Sequence, residues 1–140
     1  SDPQAQFLWA VFRDLFHYAA YHLADIAETA RDVDFAIRWG YGWKLGPFET
    51  WQSAGWADVA KWIADDIAAG KAMSSAPLPA WVGQVDGVHH AAGSYSPRTG
   101  QDEPRSSHPV YQRQLFPDAL IGEKFDTGTT LWENDGVRLW

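Results

Sequence analysis

The chain has 140 residues, of which 46% are hydrophobic and 21% charged, and its formal net charge is −7. This is about one domain's length with enough apolar material for a core, which excludes a disordered chain. The acidic balance excludes a surface built to displace counterions from nucleic acid or to dock on anionic lipid. With no cysteine, disulfides, thiolate catalysis and thiolate metal ligation are excluded as well.

The first half reads as helix. Asp2-Pro3 is a start signal, a capping carboxylate followed by proline at the first helical position. Leu8, Val11/Phe12, Leu15, Tyr18/Ala19, His22/Leu23 and Ile26 then recur every three to four residues, which predicts an amphipathic helix over about residues 5–28. Asp32 is expected to cap a short second helix over residues 33–39, ended by Gly40. Gly40-Tyr41-Gly42 is a backbone turn. Gly46-Pro47 opens a third helix that Gly55 closes. A fourth carries Trp56, Val59/Ala60, Ile63/Ala64 and Ile67 on one stripe and stops at Gly70. Pro77-Leu78-Pro79 breaks the chain before a short helical turn at 80–85. No apolar run reaches the roughly 20 residues of a membrane span, and a cytoplasmic location is expected.

From residue 87 to about 128 glycine, proline, serine and threonine recur without a period. This predicts an irregular strap or linker, with a short strand at 94–96. Near the end, Glu133-Asn134-Asp135-Gly136 separates two apolar runs, a hairpin signal. The chain stops on Leu139 and Trp140, as expected of a chain that continues into a further domain.

Candidate chemistry is sparse. His17 and His22 lie roughly 140° apart on a helix and cannot share a metal. His89 and His90 point opposite ways in any extended segment, and His108 is isolated. All five histidines read as surface or cap residues. Asp32, Asp34, Asp65 and Asp66 read as a solvated helix face. No nucleophile elbow, phosphate loop or dinucleotide fingerprint is present. Nine tryptophans read mainly as core and interface packing, and alternatively as a stand-alone module that holds an acyl chain or other ligand. In the Gly46-Pro47-Phe48-Glu49 segment, Glu49 sits at the third helical position, where its carboxylate can reach back to the cap amide.

Residues 37–51, Ile37-Arg38-Trp39-Gly40-Tyr41-Gly42-Trp43-Lys44-Leu45-Gly46-Pro47-Phe48-Glu49-Thr50-Trp51, closely resemble a stretch in the C-terminal helical domains of 3-hydroxyacyl-CoA dehydrogenases. The closest likeness is to the long bacterial form fused to an enoyl-CoA hydratase. Phe16-His17-Tyr18-Ala19-Ala20 and Pro79-Ala80-Trp81-Val82 extend the resemblance over about residues 7–85. It implies an all-α fold, a small helical bundle of the 6-phosphogluconate dehydrogenase C-terminal-domain type. It also implies a division into a helical domain (1–86), a strap (87–128) and the start of a hydratase domain (129–140).

Family enzymes oxidise 3-hydroxyacyl-CoA to 3-ketoacyl-CoA with NAD in fatty-acid β-oxidation. Their catalytic histidine–glutamate pair and cofactor site lie in a Rossmann domain whose motifs this chain lacks. The resemblance therefore implies no catalytic, cofactor or metal residue here, with NAD held by the parent enzyme. It implies a structural motif and interface at Trp39, Gly40, Gly42, Gly46, Pro47, Phe48, Glu49 and Trp51. The implied partners are the Rossmann and first helical domains of the same chain, which hold the acyl-CoA, with a homodimer of this piece as a further expectation. Gln52 departs from the family, whose members usually have an aspartate after the tryptophan.

Overall fold

The computed structural model describes residues 2–108 and 131–139. Three helices, α1 (Pro3–Ile26), α2 (Ala30–Tyr41) and α3 (Pro47–Ala68), lead into a 3₁₀ turn at Ala80–Gly83. A three-stranded antiparallel sheet follows, with β1 (His89–His90), β2 (Gly93–Ser96) and β3 (Gln101–Glu103) in sequential order. A separate two-stranded pair, β4 (Trp132–Glu133) and β5 (Arg138–Leu139), is the hairpin expected from the sequence, with Trp132 opposite Leu139. Its turn is closed by the Asn134 side chain, which accepts from the amides of Gly136 and Val137. The protein is thus helix-rich but not purely helical. The segment read as irregular holds a sheet over residues 89–103, and the remainder of the expected strap, 109–128, lies outside the described residues.

The helix ends follow local chemistry with two corrections. Asp2 caps α1, its side chain accepting from the Gln4 amide at 3.0 Å. For α2 the cap is Thr29 and not Asp32, which instead takes the third helical position and accepts from the Thr29 amide at 2.9 Å. The helix runs past Gly40 and ends at Gly42, which adopts the left-handed conformation (φ 70°) that glycine enters without strain. The expected third and fourth helices meet at Gly55, whose non-helical backbone (φ 102°, ψ 98°) divides α3 as the sequence predicts. Gly70 ends it: the Lys71 amide bonds back to Asp66 O at 2.9 Å, as in a Schellman cap.

The core is an aromatic column. Phe16 of α1 lies on Trp51 (5.6 Å between ring centroids), Trp51 on Trp56 (4.2 Å), Trp56 near Trp81 (6.0 Å) and Trp81 on Tyr95 of β2 (4.9 Å). The two most buried indoles keep their N–H groups satisfied, Trp51 on Trp56 O and Trp56 on Val82 O, each at 3.0 Å. Burying such rings without that partner would cost about 1–3 kcal/mol each. Phe48, Leu23, Ile63 and Val88 close the column on its sides. Not every tryptophan goes inside: Trp62 of α3 is about half exposed.

A polar clasp joins α1 to the end of α3. Asp66 accepts from Trp9 Nε1 at 2.8 Å and from Arg13 Nη1 at 3.1 Å, and Arg13 also holds Asp14 through two bonds of 3.0 Å. The carboxylates read as a solvated face are therefore in part spent on a tertiary contact. The Trp9 and Arg13 donors hold Asp66 below its ordinary value of 3.8, and Arg13 does the same for Asp14. A depressed folded value contributes stability that is fully present above pH ~3.8 and is lost as pH falls through the folded value. The D66A variant is expected to lose about 2 kcal/mol at neutral pH. Urea titrations should show the gap to wild type narrowing below pH 4; a gap independent of pH would contradict this account.

Candidate functional site

The residue cluster most like a chemical site is one that composition and spacing did not single out. Asp34, in the middle of α2, has no solvent exposure, and neither has His89 of β1. His89 Nε2 donates to Asp34 Oδ2 at 2.6 Å, and in the neutral ring this leaves Nδ1 to accept from the Ser94 hydroxyl at 2.9 Å. Ser94 is equally buried. Serine, histidine and aspartate are thus strung together, as in an acyl-transfer triad. The imidazole is the wrong way round for that chemistry, with the acid on Nε2 and the hydroxyl on Nδ1, and no face of the serine is open to a substrate.

What the cluster does is hold backbone. Asp34 Oδ1 accepts from the Phe48 amide at 2.8 Å, and Asp34 Oδ2 from the Glu49 amide at 3.0 Å. These are the second and third residues of α3, whose amides have no partner within the helix. The N-cap of α3 is Gly46, which has no side chain to supply the acceptor. Asp34 supplies it from another helix. The approach is so close that a Cβ on Gly46 would overlap the Cα, Cβ and Oδ1 of Asp34. Glu49 completes the start of α3 as the sequence predicts, its Oε2 accepting from the Gly46 amide at 2.6 Å and its Oε1 from Arg38 Nη1 at 3.0 Å.

Burial pushes both carboxyls above their ordinary values. For Asp34 the His89 bond and the two amides pull the other way. For Glu49 the Gly46 amide and Arg38 oppose the burial, while the nearby charge of Asp34 adds to it. Gln52 ties in the strand beside them. Its Oε1 accepts from the amides of Val88 and His89 (2.8 and 2.9 Å) and its Nε2 donates to His89 O at 2.8 Å. Gln52 thus acts as a strand partner for β1.

The residues expected from the sequence fall into two groups. Gly46, Pro47, Phe48, Glu49 and Trp51 lie in this buried junction, Gly46 as its close-approach point. Trp39, Gly40 and Gly42 lie on the outside: Trp39 is 64% exposed and stacks flat on Phe35 at 4.6 Å, with Tyr41 and Trp43 exposed beside it. His17 of α1, read as a surface or cap residue, is one correction: it is buried at 3% exposure. Asp34 and His89, read as solvated and surface residues, are the corrections within the junction. Their burial had one legible signal, a helix start at a glycine with no acceptor of its own. His90 does point the other way, half exposed between Asp102 (2.8 Å) and Asp86 (3.2 Å). Among the described residues no group of histidines and carboxylates is arranged to hold a metal ion.

With this geometry in place, the likeness to known proteins can be weighed. Over 84 residues, 60% of this chain, the sequence is 30% identical to a probable 3-hydroxyacyl-CoA dehydrogenase of Bacillus subtilis (strain 168). That supports a relationship to this dehydrogenase. The matched segment makes up only 10% of the relative's length. No family model matches the chain, and no solved structure matches it.

The cross-helix cap makes a quantitative prediction. The D34N variant presents an amide donor where two acceptor oxygens are needed, and is expected to lose about 2–4 kcal/mol. G46S alone should also destabilise, through overlap with Asp34. In the D34A background the Cα and Cβ of residue 34 still overlap the serine Cβ, so G46S should destabilise there as well and recover none of the cap. Chemical denaturation of the four proteins checks this, and a D34A/G46S double variant more stable than D34A would refute the close approach.

Proposed function

We propose that this chain is a helical accessory domain of a 3-hydroxyacyl-CoA dehydrogenase, serving as scaffold and domain interface for chemistry performed elsewhere in the parent protein. The observation that carries this reading is the state of the triad-like cluster among the described residues: Asp34, His89 and Ser94 are sealed and fully engaged in holding α2, α3 and the sheet together. A domain whose catalytic-type residues are used this way has a structural task. The 30% identity to the Bacillus subtilis dehydrogenase supports the choice of parent.

In this reading residues 1–86 are the helical domain, the following segment straps it to its neighbours, and residues 129–140 begin a hydratase domain. NAD and the catalytic pair belong to a Rossmann domain of the same parent, and acyl-CoA is held mainly by that domain and the first helical domain. The exposed Trp39, Tyr41 and Trp43 would meet those partners. Exposed aromatics beside a well-packed core are what an interface presents when its partner is absent.

The same exposed tryptophans favour one other reading, a stand-alone module that binds an acyl chain on its surface. Two measurements separate the readings. The chain with acetoacetyl-CoA and NADH is expected to give no NADH oxidation above background; appreciable turnover would overturn the scaffold assignment. Tryptophan fluorescence is expected to show no saturable change with a long-chain acyl-CoA, whereas tight saturable binding would favour the module.

A further inference from the structure

His17 is buried on α1 together with Phe16, Ala20 and Leu23. Its Nε2 is shut off from solvent and has no hydrogen-bond partner, the one side-chain atom in that state among the described residues. Such a nitrogen costs a fold about 1–3 kcal/mol. Packing alone does not ask for it, because a phenylalanine fills a similar volume without that cost. A buried polar group kept under these terms calls for a use.

The same ring lines a cleft of about 300 Å³ between α1 and residues 73–76. Asp14, His17, Tyr18 and Tyr21 are spaced three and four apart, which sets them on one face of the helix. The rings adjoin one another: His17 meets Tyr21 edge-on (6.2 Å between centroids), Tyr21 meets His22 edge-on (5.0 Å), and His22 lies against Tyr18 (4.5 Å). Met73, Ser74 and Ala76 line the opposite side. That side is fixed in place by the Met73 amide, which donates to Asp14 Oδ1 at 3.2 Å, and by the Ala76 amide, which donates to Ser74 Oγ at 3.2 Å.

We propose that this cleft binds a neutral, flat, two-ring aromatic molecule that carries a hydroxyl, with the hydroxyl on His17 Nε2. Charge selects a neutral ligand. Asp14 is the one carboxylate among the lining residues, and they include no lysine or arginine. Both Asp14 oxygens already accept from Arg13. An anionic ligand would meet no free cation there, and a cationic ligand no free carboxylate. Shape selects an aromatic one, because a lining of adjoining rings can meet another ring stacked or edge-on. Size selects two rings. A cavity of roughly 150 Å³ holds benzene, and twice that volume lies at the low end of small-molecule sites. The hydroxyl follows from the imidazole. It can donate to a bare nitrogen or accept from an N–H, so it satisfies Nε2 in either tautomer. A saturated chain would satisfy neither the rings nor the nitrogen. The inference does not depend on the dehydrogenase reading.

2-Naphthol is the probe. Titrated into the 140-residue chain, it is expected to bind saturably between micromolar and millimolar concentration. It should shift the ring nitrogen resonances of His17 and leave those of the sealed His89 in place. 2-Methylnaphthalene, the same shape without the hydroxyl, should bind about tenfold more weakly, and so should 1-octanol. H17F removes the unpartnered nitrogen, so it should melt at or above the wild-type Tm and bind 2-naphthol and 2-methylnaphthalene alike. A76W, at a half-buried wall position, should fill the cleft and abolish binding with circular dichroism unchanged. No saturable shift at His17, wild-type binding of either comparator as tight as that of 2-naphthol, 2-naphthol affinity unchanged in H17F or A76W, or an H17F protein melting well below wild type would each overturn the assignment.

Discussion

Helix α3 begins at a glycine, and the acceptor that its first amides need comes from Asp34 on another helix. That substitution of a distant carboxylate for a local cap sets much else in the fold. The carboxylate has to be brought within 2.8–3.0 Å of the Phe48 and Glu49 amides, so residue 46 has to be glycine. Once there, Asp34 is out of water. An isolated buried charge is costly unless paired and fully hydrogen-bonded, and His89 is the group that pairs it. His89 in turn has to be held, and Ser94 and Gln52 hold its ring and its backbone. Through this chain of requirements a single helix start fixes α2, α3 and β1–β2 relative to one another.

The polar junction and the aromatic column share a boundary at α3. Phe48 and Trp51, in the first turns of that helix, are fully buried. Trp51 stacks between Phe16 and Trp56, while the amides beneath it are held by Asp34. Loss of the cap would loosen the turn that positions the middle of the column. The buried network is therefore a specificity device as well as a source of stability. Any alternative packing of the aromatics that moved the start of α3 would strand a carboxylate, an imidazole and two amides in an apolar interior.

How far the sequence foretold this depends on the range of the physics involved. Helix α1, the turn of Pro79, the break at Gly55, the Glu49–Gly46 contact and the Asn134 hairpin rest on residues a few positions apart, and each was legible. The Asp34–His89 pair joins residues 55 positions apart, and no local pattern carries it. Asp34 stands on an acidic helix where a solvated face is the ordinary expectation, and His89 sits in a segment without periodicity. Beyond the strand expected at 94–96, the sheet is illegible for the same reason. Its strands are two to four residues long, too short to show alternation, and β1 is held by a glutamine side chain as much as by its neighbouring strand. Asp32 was mistaken for the cap of α2 because an acid at the third helical position and an acid at the cap look alike until the threonine before them is placed.

The distribution of aromatic residues follows from what a chain of this size can enclose. Small domains bury a limited share of their surface, and the column here already takes Trp51, Trp56, Trp81, Phe16, Phe48 and Tyr95. Of the aromatics that remain, two groups lie on separate outer faces, the Tyr18–Tyr21 side of α1 and the Phe35–Trp39 stack of α2. The two faces differ in kind. The α2 face is interrupted by Arg31, Asp32 and Arg38 and borders a groove that also includes Arg105, so it suits a partner with polar groups of its own. The α1 face is apolar over most of its length and carries the exposed Asp25, paired with His22, near its C-terminal end. The interior between the two faces is held by the buried carboxylate–imidazole junction linking α2 to α3 and by the Asp66 clasp linking α3 to α1.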